Sequence, residues 1–156
     1  MGNQIDWWRE FFSGPVLDFV QHARDKESTQ AEADFIQQAS ELPPDTKILD
    51  VPCGGGRLSL ELASRGYRVT GVDINWPLLE DAKAIADVQH LPISWEHRDM
   101  RDLPWRGQFD AAICFWSSFG YFDDQGNADF LRAVSHTVKP GAPFLLDTPL
   151  IETRVP

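Results

Sequence analysis

The stretch KILDVPCGGG, residues 47–56, decides the fold of this chain of 156 residues. The apolar run of residues 47–51 predicts a short buried strand, and the glycines that follow it predict a tight turn. Residues 58–65 then show the apolar spacing of a helix, which Gly66 ends. A strand that leads through a glycine turn into a helix is the repeating unit of α/β folds.

The same alternation of strand and helix continues along the chain. Further strands are predicted at residues 67–72, 93–97, 109–115 and 143–147. Helices are predicted at residues 75–88 and 123–138. Such alternation implies a parallel sheet with right-handed crossovers, and the continuous apolar strands fit burial on both faces. We therefore expect an α/β fold with a doubly wound, mostly parallel sheet of about five strands and flanking helices.

Residues before the first strand are expected to be helical. The first 25 or so residues are rich in aromatic side chains, whose spacing predicts one or two short amphipathic helices. Thr29 and Glu32 form the pattern of a capping box, which predicts the start of a longer helix. We expect these helices to make a cap segment, residues 1–42, ahead of an α/β domain of residues 43–156.

The balance of charge argues against a nucleic-acid substrate. Fourteen basic residues against 24 acidic ones give a net charge of −10. An enzyme that acts on DNA or RNA needs a cationic surface for phosphates, and the basic residues here form no cluster. We expect a small-molecule substrate and no nucleic-acid partner; solubility alone is the alternative explanation of the acidity.

Neither a metal site nor a membrane span is expected. Cys53 and Cys114 do not form a CxxC pair, and the four histidines show no metal-ligand spacing. No apolar run approaches the roughly 18 residues that a membrane span needs. The N-terminus lacks the basic region and apolar core of a signal peptide. We expect a cytoplasmic protein with no membrane partner.

Two acidic residues lie at the carboxyl ends of the first two predicted strands, at the edge where open α/β sheets bind their ligands. Asp50 precedes the glycine turn, in which Gly54 and Gly56 would let the backbone approach a ligand closely. Asp73 ends the second strand, where a carboxylate can accept hydrogen bonds from both hydroxyls of a ribose. A plain strand–helix turn and a helix N-cap are the structural alternatives for these two features.

Two further features follow the third and fourth predicted strands. Asp99 and Met100 offer a carboxylate and a backbone N–H that could read an adenine edge, although such a pair is also typical of a solvated loop. After the fourth strand, the aromatic residues continue beyond what a core needs. Trp116 could flank a cofactor, and Phe119 and Tyr121 could wall a substrate pocket. Packing against the aromatic N-terminal segment is the alternative.

In their order and spacing, these features resemble the class I S-adenosylmethionine-dependent methyltransferases, whose fold is Rossmann-like. Residues 50–56 resemble the family's motif I, Asp73 its ribose-binding acid, and Asp99-Met100 its adenine site. The resemblance covers about residues 47–147. The segment of residues 6–34 resembles the N-terminal region of some small-molecule members, in which it caps the cofactor site.

The resemblance implies S-adenosylmethionine as the cofactor and S-adenosylhomocysteine as its product. The implied cofactor-binding residues are Asp50, Pro52, Cys53, Gly54, Gly56, Asp73, Ile74, Asp99, Met100 and Trp116. Phe119 and Tyr121 are the implied substrate residues. No catalytic residue is assigned; Tyr121, and with less support His97 or His22, are candidates for a general base.

Two features depart from the family pattern. Pro52 occupies the position of the motif's first glycine, although it has no N–H and cannot adopt positive φ. The family's sheet has seven strands, whereas the sequence stops just after the fifth predicted strand. We therefore expect a chain without the last two strands, whose uncovered fifth strand supports self-association through its edge.

The leading hypothesis is a methyltransferase that uses S-adenosylmethionine and acts on a small molecule. A non-catalytic cofactor-binding fragment is one alternative, which the expected loss of two strands favours. A nicotinamide-dependent oxidoreductase is a weaker alternative, because Asp50 precedes the glycines and no Tyr-x-x-x-Lys pattern is present.

Overall fold

A computed structural model describes residues 7–22 and 25–148 of the chain. The helices within these residues are α1 (Trp7–Phe11), α2 (Gly14–His22), α3 (Lys26–Ser40), α4 (Arg57–Ser64), α5 (Trp76–Val88) and α6 (Asp124–Thr137). The strands are β1 (Lys47–Asp50), β2 (Arg68–Asp73), β3 (Ser94–His97), β4 (Ala111–Cys114) and β5 (Phe144–Leu146). Each strand and each helix predicted after residue 43 is present, with ends that differ by at most two residues.

The five strands form one parallel sheet in the order β3-β2-β1-β4-β5. β1 lies at the centre, where Ile48 pairs with Val69 of β2 on one side and with Ala111 of β4 on the other. The chain therefore builds outward from β1 to β3 and then returns to build in the opposite direction through β4 and β5. This reversal confirms the doubly wound Rossmann-like fold, and it creates a crevice beyond the carboxyl ends of β1 and β4.

Alternate side chains of β1 pack into two different cores, one on each face of the sheet. Ile48 belongs to the core that contains Ile36 of α3 and Leu62 of α4. Leu49 belongs to the core that contains Phe130 of α6. Because α3 contributes Ile36 to the sheet's own core, it packs as part of the α/β layer. The division into residues 1–42 and 43–156 stays a prediction.

The predicted capping box at Thr29 and Glu32 is wrong. α3 begins one turn earlier, because Asp25 is its N-cap and accepts a hydrogen bond from the backbone N–H of Ser28 at 2.8 Å. The Thr29 hydroxyl donates instead to the backbone oxygen of Asp25 at 3.0 Å, and Glu32 forms an ion pair with Arg57. Aspartate caps a helix as well as threonine does, so the earlier residue takes the position.

β5 is an edge strand among the strands that the structure describes. Its side chains are half-buried: Phe144 and Leu146 pack against one core and Leu145 against the other. The edge therefore presents main-chain groups more than apolar side chains, and self-association through it stays a prediction. Two further strands of the kind that the family adds are not among residues 7–22 and 25–148.

No helix within these described ranges combines the length and the apolar character that crossing a membrane requires.

Candidate functional site

A cleft of about 570 Å³ opens at the carboxyl edge of the sheet. Its lining comes from the loops after β1, β2, β3 and β4, from α5, and from the N-terminal segment through Trp8 and Phe12. This volume lies within the range of roughly 300–1,000 Å³ that is typical of small-molecule sites. The position is the one that the reversal of strand order predicts for a ligand site in a doubly wound fold.

Asp50 ends β1 at the floor of the cleft and is almost completely buried. Its Oδ2 accepts a hydrogen bond from the Ser59 hydroxyl of α4 at 2.6 Å. Burial raises the pKa of the Asp50 carboxyl to about 7, because desolvation disfavours the charged form. The Ser59 hydrogen bond and the nearby Arg57 guanidinium act in the opposite direction, so a bound cation would readily favour the carboxylate.

Asp73 ends β2 and holds the glycine turn in place. Its Oδ2 accepts from the backbone N–H of Gly54 at 2.7 Å, and its Oδ1 accepts from that of Asn75 at 2.8 Å. Burial raises the pKa of this carboxyl, whereas the backbone donors of Asn75 and Gly54 oppose the rise. Each carboxylate oxygen has lone-pair capacity for a second donor, so Asp73 could also accept a hydrogen bond from a ligand hydroxyl.

The two glycines of the turn have different roles. Gly54 lines the cleft with φ of +55°, and a Cβ placed on it would meet no atom within 4 Å. Gly56, at φ +71°, does not line the cleft; a Cβ there would lie 2.5 Å from Cη2 of Trp95 and 2.9 Å from the Cβ of Ala82. Gly56 was predicted to let the backbone approach a ligand. Instead it makes room for the Trp95 ring of β3.

Pro52 and Cys53 lie between Asp50 and the glycines, and both line the cleft. Pro52 follows a cis peptide bond, and the backbone N–H of Cys53 donates to the backbone oxygen of Val72 at 2.8 Å. Burial raises the pKa of the Cys53 thiol well above its ordinary value, and the carboxylates of Asp50 and Asp73 raise it further. The thiol therefore stays protonated at neutral pH and is a wall of the cleft, with no nucleophilic character.

Asp99 and Met100 reach the cleft from the loop after β3, beside Ile74 at the end of β2. Arg101 forms a fork on Asp99, with Nε 3.0 Å from Oδ1 and Nη2 2.7 Å from Oδ2. Both Asp99 oxygens therefore already accept hydrogen bonds from the Arg101 guanidinium. The sequence did not predict this contact. Met100 is buried and belongs to the core beneath this loop.

Trp116 lines the cleft after β4 in an unusual backbone conformation. Trp116 and Ser117 have φ of +72° and +59°, a region that residues other than glycine rarely adopt. The backbone N–H of Trp116 donates to Oδ2 of Asp147 at 3.0 Å, which helps to hold the turn. The Arg57 guanidinium lies over the Trp116 ring, 5.8 Å from its centroid. Strained turns of this kind cluster at functional sites.

The two predicted substrate residues separate in the structure. Tyr121 lines the cleft, and burial raises the pKa of its phenol. Phe119 does not line the cleft; it packs against the core with its ring 6.3 Å from that of Phe130. Phe119 is thus a core residue, because the turn after β4 directs it toward α6. The alternative of packing against the aromatic N-terminal segment does not describe Phe119; it describes Tyr121, whose ring lies 5.2 Å from that of Trp7 and 6.0 Å from that of Phe12.

Neither histidine candidate for a general base is supported. His97 donates from Nε2 to the backbone oxygen of Ile74 at 2.8 Å and is not part of the cleft lining. The side chain of His22 lies outside what the structure describes. Among the described residues, no group of histidine, cysteine and acidic side chains could hold a metal ion.

Local sequence patterns did not predict several of the residues that line the cleft. Arg57 lies at the first position of α4, where its guanidinium contacts Glu32 and the Thr29 hydroxyl at 2.5 Å and 3.1 Å. Asn75 caps α5 and donates from Nδ2 to the backbone oxygen of Phe12 at 2.8 Å. The Asn75-Trp76-Pro77 start signal identifies that cap from sequence, but its second contact joins residues 63 positions apart and has no local signature.

Comparison with known proteins identifies relatives over most of the chain. A family model described as a methyltransferase domain matches residues 48–141. The putative methyltransferase YqeM of Bacillus subtilis is 32% identical over 108 residues, which are 68% of this chain and 43% of YqeM. A ubiquinone biosynthesis O-methyltransferase of Coxiella burnetii is 31% identical over 144 residues, which are 92% of this chain and 56% of that protein.

A solved structure gives the same result. A crystal structure described as a S-adenosylmethionine-dependent methyltransferase from Methanosarcina mazei matches with a TM-score of 0.62 and 31% identity, over 70% of this chain and 55% of that one. The chain spans about half the length of the curated relatives it matches.

Proposed function

The chain belongs to the class I S-adenosylmethionine-dependent methyltransferase family, and from that premise we propose that it binds S-adenosylmethionine in the cleft and methylates a small-molecule acceptor. The observation that carries the proposal is the convergence of Asp50, Gly54, Asp73 and Met100 on one cleft. These residues come from three loops that are adjacent only because β1, β2 and β3 are neighbours in the sheet.

The residues present fit such a cofactor. It carries a ribose, an adenine and a zwitterionic amino acid, which need hydroxyl acceptors, a flat apolar slot and both signs of charge. Asp73 would accept from the ribose hydroxyls, while Ile74 and Met100 would flank the adenine. Asp50 and Arg57 place an acid and a cation beside the open space at Gly54, where the amino acid portion would lie.

Asp99 has a different role in this proposal from the one expected. Its two oxygens hold Arg101, whose guanidinium lies 4.1 Å from the centroid of the Phe122 ring and 5.5 Å from that of Trp8. Asp99 therefore holds the Arg101 guanidinium between the loop after β3 and the rings of Trp8 and Phe122. In this proposal Asp99 would stabilise the loop after β3, which forms one side of the adenine site. Direct contact between Asp99 and the base is not required.

When bound, the cofactor would supply a methyl group on a positively charged sulfur, activated for transfer to an acceptor's lone pair. The chain's own residues then have to hold the two partners in line and exclude water. Tyr121 is suited to donate a hydrogen bond, because a phenol with an ordinary pKa of 10 is protonated at neutral pH and burial raises that pKa further. No residue is assigned as a general base.

A small-molecule acceptor is supported by the charge of the chain and by one relative. The net charge of −10 opposes binding to a polyanion. The Coxiella burnetii relative is named for an O-methylation in ubiquinone biosynthesis, which is a reaction of a small molecule. The cytoplasmic location expected from the sequence stays a prediction.

Isothermal titration calorimetry with S-adenosylhomocysteine tests the proposal, with NADH as the comparison ligand. Saturable binding of about one S-adenosylhomocysteine per chain, with no binding of NADH, supports the cofactor assignment. Preferential binding of NADH would support the oxidoreductase alternative. Cofactor binding without turnover over a broad panel of acceptors would leave the cofactor-binding module as the function of this chain.

A further inference from the structure

Arg57 lies where the cleft meets helix α3. It is the first residue of α4, and it lines the cleft together with Gly54 of the turn before that helix. Two residues of α3, Thr29 and Glu32, contact its guanidinium, although neither of them lines the cleft. The guanidinium is therefore held from outside the cavity whose wall it helps to form.

The two contacts use different nitrogens of the guanidinium. Nη1 donates to the Thr29 hydroxyl at 3.1 Å, and Nη2 lies 2.5 Å from Oε2 of Glu32. The Thr29 hydroxyl in turn donates to the backbone oxygen of Asp25, the N-cap of α3, at 3.0 Å. Thr29 is buried, and the side chains of Glu32 and Arg57 are 20% and 27% exposed. A partly buried contact at two points restricts an arginine side chain more than an exposed ion pair does.

The spacing of Thr29 and Glu32 explains why both reach the same guanidinium. Residues three apart in a helix lie on the same face, and this face of α3 packs against α4. These two residues have the sequence pattern of a capping box that the structure does not form, because Asp25 caps α3. Their hydroxyl and carboxylate contact Arg57 instead, which follows Thr29 by 28 positions.

Two groups of the cleft are also close to the Arg57 guanidinium. Its Cζ lies 5.8 Å from the centroid of the Trp116 ring, which is within the range of a cation–π contact. Burial raises the pKa of the Asp50 carboxyl, and the charge of Arg57 opposes that rise. The cation is therefore near both the floor of the cleft and the turn after β4.

The position of Arg57 suits the carboxylate of the amino acid portion of the proposed cofactor. Among the cleft-lining residues that the structure describes, the guanidinium groups are those of Arg57 and Arg98. Arg98 pairs with Glu96 at 3.1 Å, next to the proposed adenine site at Met100. Arg57 instead follows the glycine turn. Each terminal nitrogen of a guanidinium carries two N–H groups, so Nη1 and Nη2 each have a second donor for a ligand carboxylate.

Glu32 has two opposing effects on such a ligand. It orders the Arg57 side chain in advance, so that less rotamer entropy is lost when the ligand binds. It also offsets part of the positive charge, which weakens the attraction for an anion. We expect the ordering to dominate, because the contact with α3 is partly buried and has two points. Loss of the Glu32 carboxylate should then weaken binding, whereas dominance of the charge effect would strengthen it.

We propose that Glu32 is a positioning residue for the cofactor site: together with Thr29 it holds the Arg57 guanidinium in place for the carboxylate of the cofactor's amino acid portion. Glu32 itself does not contact the ligand and acts through Arg57. This inference rests on the cofactor binding proposed above. It gives α3, which packs as part of the α/β layer, a direct part in the affinity of the cleft.

Calorimetry with two ligands tests the proposal on the whole chain. S-adenosylhomocysteine carries the amino acid portion, whereas 5′-methylthioadenosine has the same adenine, ribose and sulfur without it. Glu32→Gln should weaken S-adenosylhomocysteine about two- to tenfold, as expected for one side chain that loses its order, and should leave 5′-methylthioadenosine unchanged. An equal loss for both ligands, or tighter binding of S-adenosylhomocysteine, would overturn the proposal.

Asp34→Asn is the matched control. Asp34 of α3 forms an ion pair with Arg65 of α4 at 2.7 Å, so it joins the same two helices, but neither residue lines the cleft. This variant should bind both ligands as the parent chain does. A loss of S-adenosylhomocysteine binding equal to that of Glu32→Gln would show that any weakened contact between α3 and α4 has this effect, which contradicts a specific role for Glu32.

A double variant tests whether Glu32 acts through Arg57. Arg57→Ala should weaken S-adenosylhomocysteine at least about tenfold, because a charge-assisted contact is lost. Glu32→Gln should then cause no further loss in the Arg57→Ala chain, whereas additive losses would show that Glu32 acts by another route. Urea denaturation establishes that each variant is folded. If Glu32→Gln does not fold, Thr29→Val takes its place, since it removes the acceptor of Nη1 and should weaken the same ligand alone.

The parent chain is titrated first. Failure of the parent chain to bind S-adenosylhomocysteine contradicts the proposed function. Normal binding by the parent chain, with the same affinity in folded Glu32→Gln, contradicts only the positioning role.

Discussion

Asp50 and Asp73 are both buried carboxylates in one cleft, yet their neighbours give them different properties. Asp50 accepts from a side chain, Ser59, and lies near the Arg57 guanidinium. Asp73 accepts from two backbone N–H groups and so holds the turn that forms the cleft. The protonation of Asp50 therefore depends on the charges in the cleft. Asp73 holds the turn in place and could also accept a hydrogen bond from a ligand hydroxyl.

Asp73→Ala is expected to weaken S-adenosylhomocysteine binding by about 1–3 kcal/mol, because charge-assisted hydrogen bonds to the ribose would be lost. This corresponds to roughly 5- to 150-fold in Kd. The measurement is calorimetry, with urea denaturation to establish that the variant is folded. Asp87→Ala, an exposed change on α5, is the control. An unchanged Kd in folded Asp73→Ala would remove this residue from the site.

Asp50 makes the stability of the fold depend on pH. Its pKa is about 7 in the folded chain against an ordinary value of 3.8, so the folded state binds this proton more tightly than the unfolded state. The stabilising contribution is complete at acid pH below the ordinary value and is lost as pH rises through about 7. Burial is the cause, since a neutral carboxyl tolerates desolvation better than a carboxylate.

Asp50→Asn should therefore gain stability relative to the parent chain as pH rises. The amide still accepts from Ser59 but does not ionise. The difference in unfolding free energy should change by about 3 kcal/mol in favour of the variant between about pH 5 and pH 8. Urea denaturation at the two pH values measures it. A difference that does not vary with pH would show that Asp50 is not the titrating group.

At the scale of elements, the loop after β1 depends on glycine for two separate reasons. At Gly54 the reason is a positive φ beside open space in the cleft. At Gly56 it is also the close approach of Trp95 from β3, two strands away. In the glycine turn, Gly54 therefore shapes the cleft, whereas Gly56 allows the Trp95 ring to pack closely against the turn.

The pair Gly54→Ala and Gly56→Ala should separate these roles. Gly56→Ala adds a clash with a ring to backbone strain, and we expect a loss of about 2–4 kcal/mol in unfolding free energy. Gly54→Ala should cost only about 1 kcal/mol of stability from strain but should weaken S-adenosylhomocysteine binding. Thermal or urea unfolding measures the change in stability, and calorimetry measures the change in S-adenosylhomocysteine binding. A larger stability loss at Gly54 than at Gly56 would reverse the assignment.

At the scale of the whole molecule, the arrangement of the sheet decides which surfaces meet other molecules. The reversal of strand order next to β1 produces the cleft, and it leaves β3 and β5 at the edges among the described strands. A strand edge can pair with a second chain through its main-chain groups. The net charge of −10 opposes association at low salt, because like-charged molecules repel.

Self-association through β5 is therefore expected to increase with salt and with protein concentration. Multi-angle light scattering over a range of both conditions measures the molar mass of the chain in solution. A shift from one chain toward two as salt screens the charge would support pairing at the edge. A molar mass equal to that of one chain at high protein concentration and high salt would rule out self-association through β5.

Local patterns in the sequence determined the element order, the parallel sheet and most of the cleft. Glycines and prolines set the turns, and apolar periodicity separated strands from helices; the acids at strand ends lie together because parallel strands end at one edge. The acids at strand ends predicted Asp50 and Asp73 as cleft residues, and the aromatic run after the fourth strand predicted Tyr121.

The tertiary structure alone decided the remaining features, each of which depends on contacts between residues far apart in the chain. Gly56 meets Trp95, Arg57 meets Glu32, and Phe119 enters the core against Phe130. No local pattern records such contacts, because they arise only when the crossovers bring separate elements together.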